Sequence, residues 1–208
     1  MTLPDNISFV TDEAVLRGMH HKMMSRSSDK VLTRLDKHCR DILALAPFCV
    51  IATQGPAGAD ASPRGDPPGF IRVLDDTHVL LPDRVGNNRL DNYVNLLANP
   101  RIAMLVLVPG MGETLRINGT ARITNDARLL EASAIRDRAP KIGLLIAVEE
   151  AFLHCSKALV RSDLWNPDSH IDRKQLATYT QMLTDHVEGL TAEESERQGR
   201  IMAERGLY

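Results

Sequence analysis

The residues best suited to chemistry in this chain lie in two stretches, Ser62-Pro63-Arg64-Gly65-Asp66-Pro67-Pro68-Gly69-Phe70 and Leu81-Pro82-Asp83-Arg84-Val85-Gly86-Asn87-Asn88-Arg89. Each reads as a turn-rich loop following a short apolar run. Between them they bring Arg64, Arg84, Asn87, Asn88 and Arg89 close together in sequence, along with several backbone amides. Guanidinium forks and unpaired N–H groups both point donors at acceptor oxygens, so such loops suit an anion such as a phosphate. Pro, Gly, Asn and Asp are equally the residues of ordinary turns, so the spacing also fits plain hairpin loops with solvated charges.

Other candidates are weaker. Gly110-Met111-Gly112 has the start of a dinucleotide-binding fingerprint, but Leu115 stands where the third glycine belongs and a strand pattern follows rather than a helix. His20-His21, His38-Cys39 and His154-Cys155 are adjacent pairs. Neighbours on a strand point to opposite faces, so no metal site is expected. Cys155, ending an apolar run, reads as an inert thiol rather than a nucleophile. Lys157, Arg161 and Trp165 follow at i, i+4 and i+8, which on one helical turn gives a basic rim with an indole beside it. That group suits a planar ligand, by stacking and by donation to ring carbonyls, and equally suits a solvated face with a packing tryptophan. Arg116 and Arg122 sit on the polar face of an alternating stretch headed by Thr114, whose hydroxyl could donate to a ligand edge.

Composition narrows the classes. The 208 residues suffice for one compact domain with helical additions, and 43% hydrophobic with 25% charged residues are globular values. A formal net charge of −2 leaves no general excess of cations for a nucleic-acid backbone. Three scattered cysteines, Cys39, Cys49 and Cys155, fit reduced thiols in the cytoplasm better than a disulfide framework. The opening residues, Met1-Thr2-Leu3-Pro4-Asp5-Asn6, lack the basic and apolar regions of a signal peptide. The longest apolar run, 102–108, is too short for a bilayer. A cytoplasmic chain with no membrane or nucleic-acid partner is expected.

The elements that would position these groups follow from periodicity. A weak helix is expected over 12–24. A second, capped by Ser28, carries Val31, Leu35, Cys39, Ile42 and Ala46 and ends at Pro47. Residues 48–53 form a β-prone run stopped by Gln54-Gly55-Pro56-Ala57-Gly58, and two short runs flank Asp75-Asp76-Thr77. A helix over 91–98 closes at Asn99-Pro100, and a strand over 102–108 follows. In 114–123, Leu115, Ile117, Gly119, Ala121 and Ile123 alternate with polar residues. Residues 126–138 read as helical, 144–155 as a last strand, and 156–165 as a short helix or turn. Leu176, Tyr179, Leu183 and Val187 make a helical stripe, and Thr191 with Glu194 a capping box. The reading is α+β, mainly β with flanking helices. It has an antiparallel sheet of about six strands, which a small barrel would relieve of its edges. The tight turns leave no room for the crossovers a parallel sheet needs. We expect an N-terminal extension over 1–29, a barrel domain over 30–165 and a C-terminal helical extension over 166–208.

In this order the elements resemble the pyridoxamine 5'-phosphate oxidase-like family of FMN-binding split barrels, over about residues 30–165. The likeness rests on a leading helix, the run 48–53, Ser62-Pro63-Arg64-Gly65-Asp66, the 82–89 loop, the helix closed by Asn99-Pro100-Arg101, and Leu115-Arg116-Ile117-Asn118-Gly119-Thr120-Ala121. Ser-Pro-Arg-Gly-Asp-Pro-Pro-Gly-Phe and His-Cys-Ser-Lys-Ala-Leu resemble a branch distinct from the vitamin B6 enzyme. The resemblance implies an FMN-dependent oxidoreductase working as a homodimer with FMN at the subunit interface. Arg64, with Gly65 and Asp66, would reach the FMN phosphate, and Asn87, Asn88 and Arg89 would cradle it. Backbone groups of Pro82, Asp83 and Arg84 would lie along the flavin, and Thr114 would fall where the family presents a glutamine to the ring. Lys157, Arg161 and Trp165 would approach from the partner chain. The chain lacks the Arg-Leu-His-like ending that holds pyridoxal phosphate in the oxidase, so the substrate is left open. Two further uses of the same fold stay open as well. One is flavin or haem binding without turnover, with His154 or His170 as axial ligand for haem. The other is a deazaflavin in place of FMN.

Overall fold

Strand-forming alternation dominates the middle of the chain, and it becomes a single antiparallel sheet. A computed structural model describes residues 3–208, apart from the side chain of Arg205. Residues 1 and 2, part of the signal-peptide reading, lie outside the described residues. The chain divides into two compact units, Met1–Val31 and Leu32–Tyr208. No helix among the described residues is long and apolar enough to cross a membrane.

The first unit holds two short helices, α1 (Glu13–Gly18) and α2 (Ser25–Asp29), where one helix was expected. Asp12 caps α1, its carboxylate accepting from the Val15 N–H at 2.9 Å. Ser28 lies inside α2 and caps nothing that follows.

The second unit starts with α3 (Lys37–Leu45), shorter than the stripe from Val31 suggested. Asp36 fixes its start by accepting from the Cys39 N–H at 2.8 Å, and Leu32 is instead bridged to Ala151. Next come β1 (Phe48–Gly55), β2 (Gly58–Gly65), β3 (Arg72–Val73), β4 (His78–Pro82), α4 (Asp91–Ala98), β5 (Arg101–Leu107) and β6 (Thr114–Thr124). They are followed by α5 (Ala127–Leu130), β7 (Gly143–His154), α6 (Lys157–Ser162), α7 (Tyr179–His186) and α8 (Ala192–Arg205). The sheet has seven strands rather than six, in the order β2-β1-β5-β6-β7-β4-β3. The extra strand is β2, whose end includes Ser62 to Gly65, so the first of the two loops is in part a strand. Pro63 is tolerated there because β2 is a sheet edge, where a missing N–H breaks no second ladder. The helix expected over 126–138 is only α5 and one 3-10 turn, Glu131–Ser133.

This is the α+β split-barrel architecture that the sequence implied. Its core draws Leu115, Ile117 and Ala121 of β6, Leu144 and Ile146 of β7, and Ile51 of β1 against Leu43 of α3 and Tyr93 and Leu96 of α4. On α8, Thr191 accepts from the Glu194 N–H at 3.2 Å, half of a capping box. The Glu194 carboxylate turns instead to Arg197 and Gln198, which hold its pKa down to about 2.

The pairing of β6 with β7 shifts between Asn118 and Gly119, which leaves Glu149 as the extra residue of a bulge. A Cβ on Gly119 would lie 2.0 Å from the Ala147 carbonyl oxygen, which belongs to the backbone and cannot swing away. Gly119→Ala should therefore cost at least about 1–3 kcal/mol. In urea the midpoint should fall with the slope unchanged.

Candidate functional site

A cavity of about 500 Å³ opens between the end of β2, the end of β4 and the start of α4. Arg64, Gly65, Pro82, Asp83, Arg84, Asn87, Asn88 and Arg89 all line it, so the structure brings most of the two sequence-predicted stretches together.

Arg64 is the best-positioned cation. Its Nη1 donates to the Pro63 carbonyl at 2.9 Å, and its Nη2 donates to Asn92 Oδ1 at 3.1 Å. Asn92 is 2% exposed, and its Nδ2 donates to Thr53 Oγ1 at 2.9 Å. Thr53 on β1 accepts a second bond, from Asn95 Nδ2 at 3.1 Å. Only one orientation of the Asn92 amide satisfies both neighbours, because the reverse would set NH₂ against a guanidinium and oxygen against an acceptor. Both partners of Arg64 are neutral, and among the described residues it forms no ion pair. No carboxylate pairs directly with its positive charge, although Asp60, Asp83 and Asp91 line the same cavity, and its guanidinium carbon lies 6.0 Å from the centre of the Tyr93 ring.

The other two arginines are engaged. Arg84 Nε donates to Asp66 Oδ2 at 2.5 Å, where the Asp66 side chain is 1% exposed, and its Nη2 donates to the Ser133 carbonyl at 2.9 Å. Arg89 Nε donates to Asp91 Oδ2 at 2.7 Å, and its side chain is 73% exposed. Asp66 therefore acts by fixing Arg84, beside the cavity rather than among the residues lining it.

The loop into α4 adds backbone donors. Asn88 and Leu90 have φ of 57° and 60°, the left-handed region that few non-glycine residues occupy. Asn87 Oδ1 accepts from the Arg89 N–H at 3.1 Å and holds the turn. Leu90 occupies the N-cap of α4 and has no side chain able to cap it. The first N–H groups of a helix lack intrahelical acceptors and carry a partial positive charge, and Leu90 to Tyr93 at this start line the cavity. Tyr93, in the same turn, donates to Asp83 Oδ1 at 2.7 Å. Burial first, and the Asp83 bond second, push its phenol pKa well above the usual value.

Four predicted residues lie elsewhere. Thr114, 6% exposed, lines a second cavity of about 420 Å³ with Arg116, His154 and Cys155. Lys157 and Arg161 project from α6, exposed. That helix stops at Asp163, whose φ is 52°, so Trp165 falls beyond it and not on its face. The indole Nε1 donates to the Met111 carbonyl at 2.8 Å, which pins the following turn to the loop after β5.

The sequence model of pyridoxamine 5'-phosphate oxidase matches residues 35–155, more than half of the chain. The chain belongs to that family. The matched span runs from α3 to the end of β7 and contains the whole first cavity. Among solved structures, HupZ of Group A Streptococcus is similar, with 22% identity over 59% of this chain and 95% of that one and a TM-score of 0.47. So is a Clostridium acetobutylicum protein related to general stress protein 26 of B. subtilis, of the pyridoxinephosphate oxidase family. There the identity is 14% over 57% and 86% of the two chains, and the TM-score is 0.43. An F420 reductase shares 18% identity over 58% and 98%, with a TM-score of 0.41. No curated protein matches the chain.

Asn92, which lines the cavity and accepts from Arg64, is the residue that sequence reasoning missed. Its only sequence-level sign is an amide at the second position of a helix that begins without a capping side chain. Asn92→Ala and Thr53→Val should each destabilise the fold by about 1–3 kcal/mol, the usual cost of unpairing buried polar groups. In denaturant titrations the double variant should lose less than the sum of the two, because both changes break the same bond.

Proposed function

We propose that this protein is an FMN-dependent oxidoreductase that works as a homodimer, with the flavin phosphate held in the first cavity. The observation that carries the reading is Arg64, paired with no carboxylate among the described residues and fixed by Asn92 beside the uncapped start of α4. That donor set matches a phosphate monoester: a guanidinium fork, backbone amides and the Asn87-Asn88 turn all supply donors. Bound FMN would supply hydride or electron transfer, and the protein would supply orientation and electrostatics.

The side chains have separate tasks. Arg64 binds the anion, and Asn92 sets the plane of its fork. Asn87, Asn88 and Arg89 enclose the phosphate from the loop, with Arg89 first giving up part of its Asp91 contact. Gly65 lines the wall beside Arg64, and Pro82, Asp83 and Arg84 would lie along the ring. Tyr93 keeps its proton, since burial and Asp83 both disfavour the phenolate.

A second copy would complete the site. On the outer face of the sheet, Phe48 pairs with Leu107, Val50 with Leu105 and Ala52 with Ala103. A sheet facing water normally carries polar residues at such positions, so this apolar strip suits a partner's equivalent strip. The second cavity opens on the same strip and is lined by Thr114 and by Ala158 and Leu159 of α6, and the proposal assigns Thr114, with Lys157, Arg161 and Trp165 in and after that helix, to the partner's flavin. The three free cysteines fit the reducing cytoplasm.

FMN titration of the purified protein, followed by its absorption spectrum, tests the cofactor. Arg64→Ala should weaken FMN binding by about 1.5–3 kcal/mol, and the exposed Arg89→Ala by less. Full FMN affinity in Arg64→Ala would remove the phosphate assignment, and preference for a deazaflavin over FMN would change the cofactor while leaving the phosphate site intact. Leu105→Asp should convert the dimer to a monomer in sedimentation and abolish tight flavin binding. A dimer that survives this change would place the interface elsewhere.

A further inference from the structure

Asp66 and Arg84 do more than brace each other, because a ring from far along the chain sits on them. The Tyr208 hydroxyl donates to Asp66 Oδ1 at 2.8 Å, and the Arg84 and Arg136 guanidinium carbons lie 5.7 Å and 5.9 Å from the centre of its ring. Arg138 Nη1 donates to the Tyr208 carbonyl oxygen at 2.8 Å. A cavity of about 470 Å³ adjoins the ring, and it shares Asp83, Arg84, Val85 and Asn88 with the phosphate cavity.

We propose that Asp66, Arg84, Arg136 and Arg138 form a binding subsite for a hydroxyaryl group, and that Tyr208 is its tethered, displaceable occupant.

Three observations support a subsite rather than a packing contact. First, its frame is complete without the ring. Asp66 and Arg84 hold one another, the Asp66 N–H donates to the Pro47 carbonyl at 3.0 Å, and Arg84 donates to Ser133. Second, the segment that joins Tyr208 to α8 makes few contacts of its own. Gly206, with φ of 74°, ends α8, and Leu207 is 79% exposed, so little besides the tyrosine itself holds this segment. Third, the turn carrying Arg136 is strained. Ile135 and Arg138 exchange backbone hydrogen bonds of 3.1 Å and 3.0 Å around Arg136 and Asp137, whose φ values are 50° and 61°. Tight turns of that hand favour Asn and Gly, and non-glycine residues kept in this region concentrate at ligand clamps and active sites.

The chemistry sets the ligand class. Cations above a ring select an electron-rich aromatic face. Arg84 occupies Asp66 Oδ2, and the second oxygen, Oδ1, accepts from a phenol hydroxyl. Its hydrogen bond also raises the phenol pKa, so the group is held protonated. Arg138 would take an acceptor oxygen further along the ligand. A hydroxylated aromatic compound in this subsite would border the cavity assigned above to the cofactor, although the subsite itself needs no cofactor.

The test uses p-cresol, the tyrosine side chain as a free molecule, with toluene as the ring lacking the hydroxyl. A tethered group competes at millimolar effective concentration, so the free phenol should bind the full-length Tyr208→Ala variant at least tenfold more tightly than the wild type. Ligand-observed NMR reads this directly. p-Cresol should also raise the melting temperature of Tyr208→Ala, and toluene should do so much less. Adding Arg136→Gln to Tyr208→Ala should weaken p-cresol binding several-fold. Equal affinity of wild type and variant, absence of any p-cresol effect on the variant, or indifference to Arg136→Gln would each overturn the proposal.

Discussion

Arg64 keeps its charge because of what holds it. A guanidinium at the end of an edge strand would ordinarily find a carboxylate, and the surrounding loops offer Asp60, Asp83 and Asp91. Instead the hydrogen bonds of the fork go to a carbonyl and an amide. The amide is held in turn by a buried threonine hydroxyl. Such a chain orients a cation without neutralising it, and in a region of reduced dielectric every link is expensive to break. The rest of the cavity follows from this restraint. The α4 start lies where Arg64 points, Asp83 is occupied by Tyr93, and Asp91 by Arg89. Asp60 accepts from the Ser62 hydroxyl, and none of the three carboxylates pairs with Arg64.

The same sheet carries the apolar strip on which the proposed dimer rests. Its inner face is a continuous core, and the outer face of β1 and β5 carries aliphatic and aromatic pairs in register. Both faces of those strands are therefore apolar, as expected for strands covered on both sides. The bulge at Asn118 and Gly119 re-aims β7 and lets Glu149 reach Arg101 at the rim. Arg84 lines the cavity, and its pair with Asp66 is the floor on which Tyr208 rests.

Much of the fold was legible in the residues. The alternation from Thr114 onward is strict because β6 lies in the centre of the sheet with one face wholly in the core. The helix Asp91–Ala98 ends where the Asn99-Pro100 stop placed it, but the apolar side expected from Leu90, Val94 and Leu97 is exposed, and the helix buries Asn92, Tyr93, Asn95 and Leu96 instead. Legibility failed where burial was weak. β2 alternates only between half-buried and exposed residues, so its end passed for a loop. The stripe from Val31 was cut short because Leu32 pairs with β7 and Asp36 offers a stronger start. The helix over 126–138 stopped early because Ile135 to Arg138 close a tight turn. In the site, the arginines and asparagines were found by type, whereas Asn92 was not, since an amide early in a helix looks solvated until Thr53 is seen beneath it.

Local periodicity and turn chemistry, set by neighbours a few residues apart, are what the amino-acid sequence determined by itself: strands, helices, the cationic stretches and the family they mark. Which arginine would be free was decided only in three dimensions. Arg64, Arg84 and Arg89 are alike as residues. Their difference depends on carboxylates and amides at other places in the chain, Asp66 for Arg84 and Asn92 for Arg64. Coulomb attraction and hydrogen bonding act over a few ångströms, and only the folded sheet brings those partners within that distance.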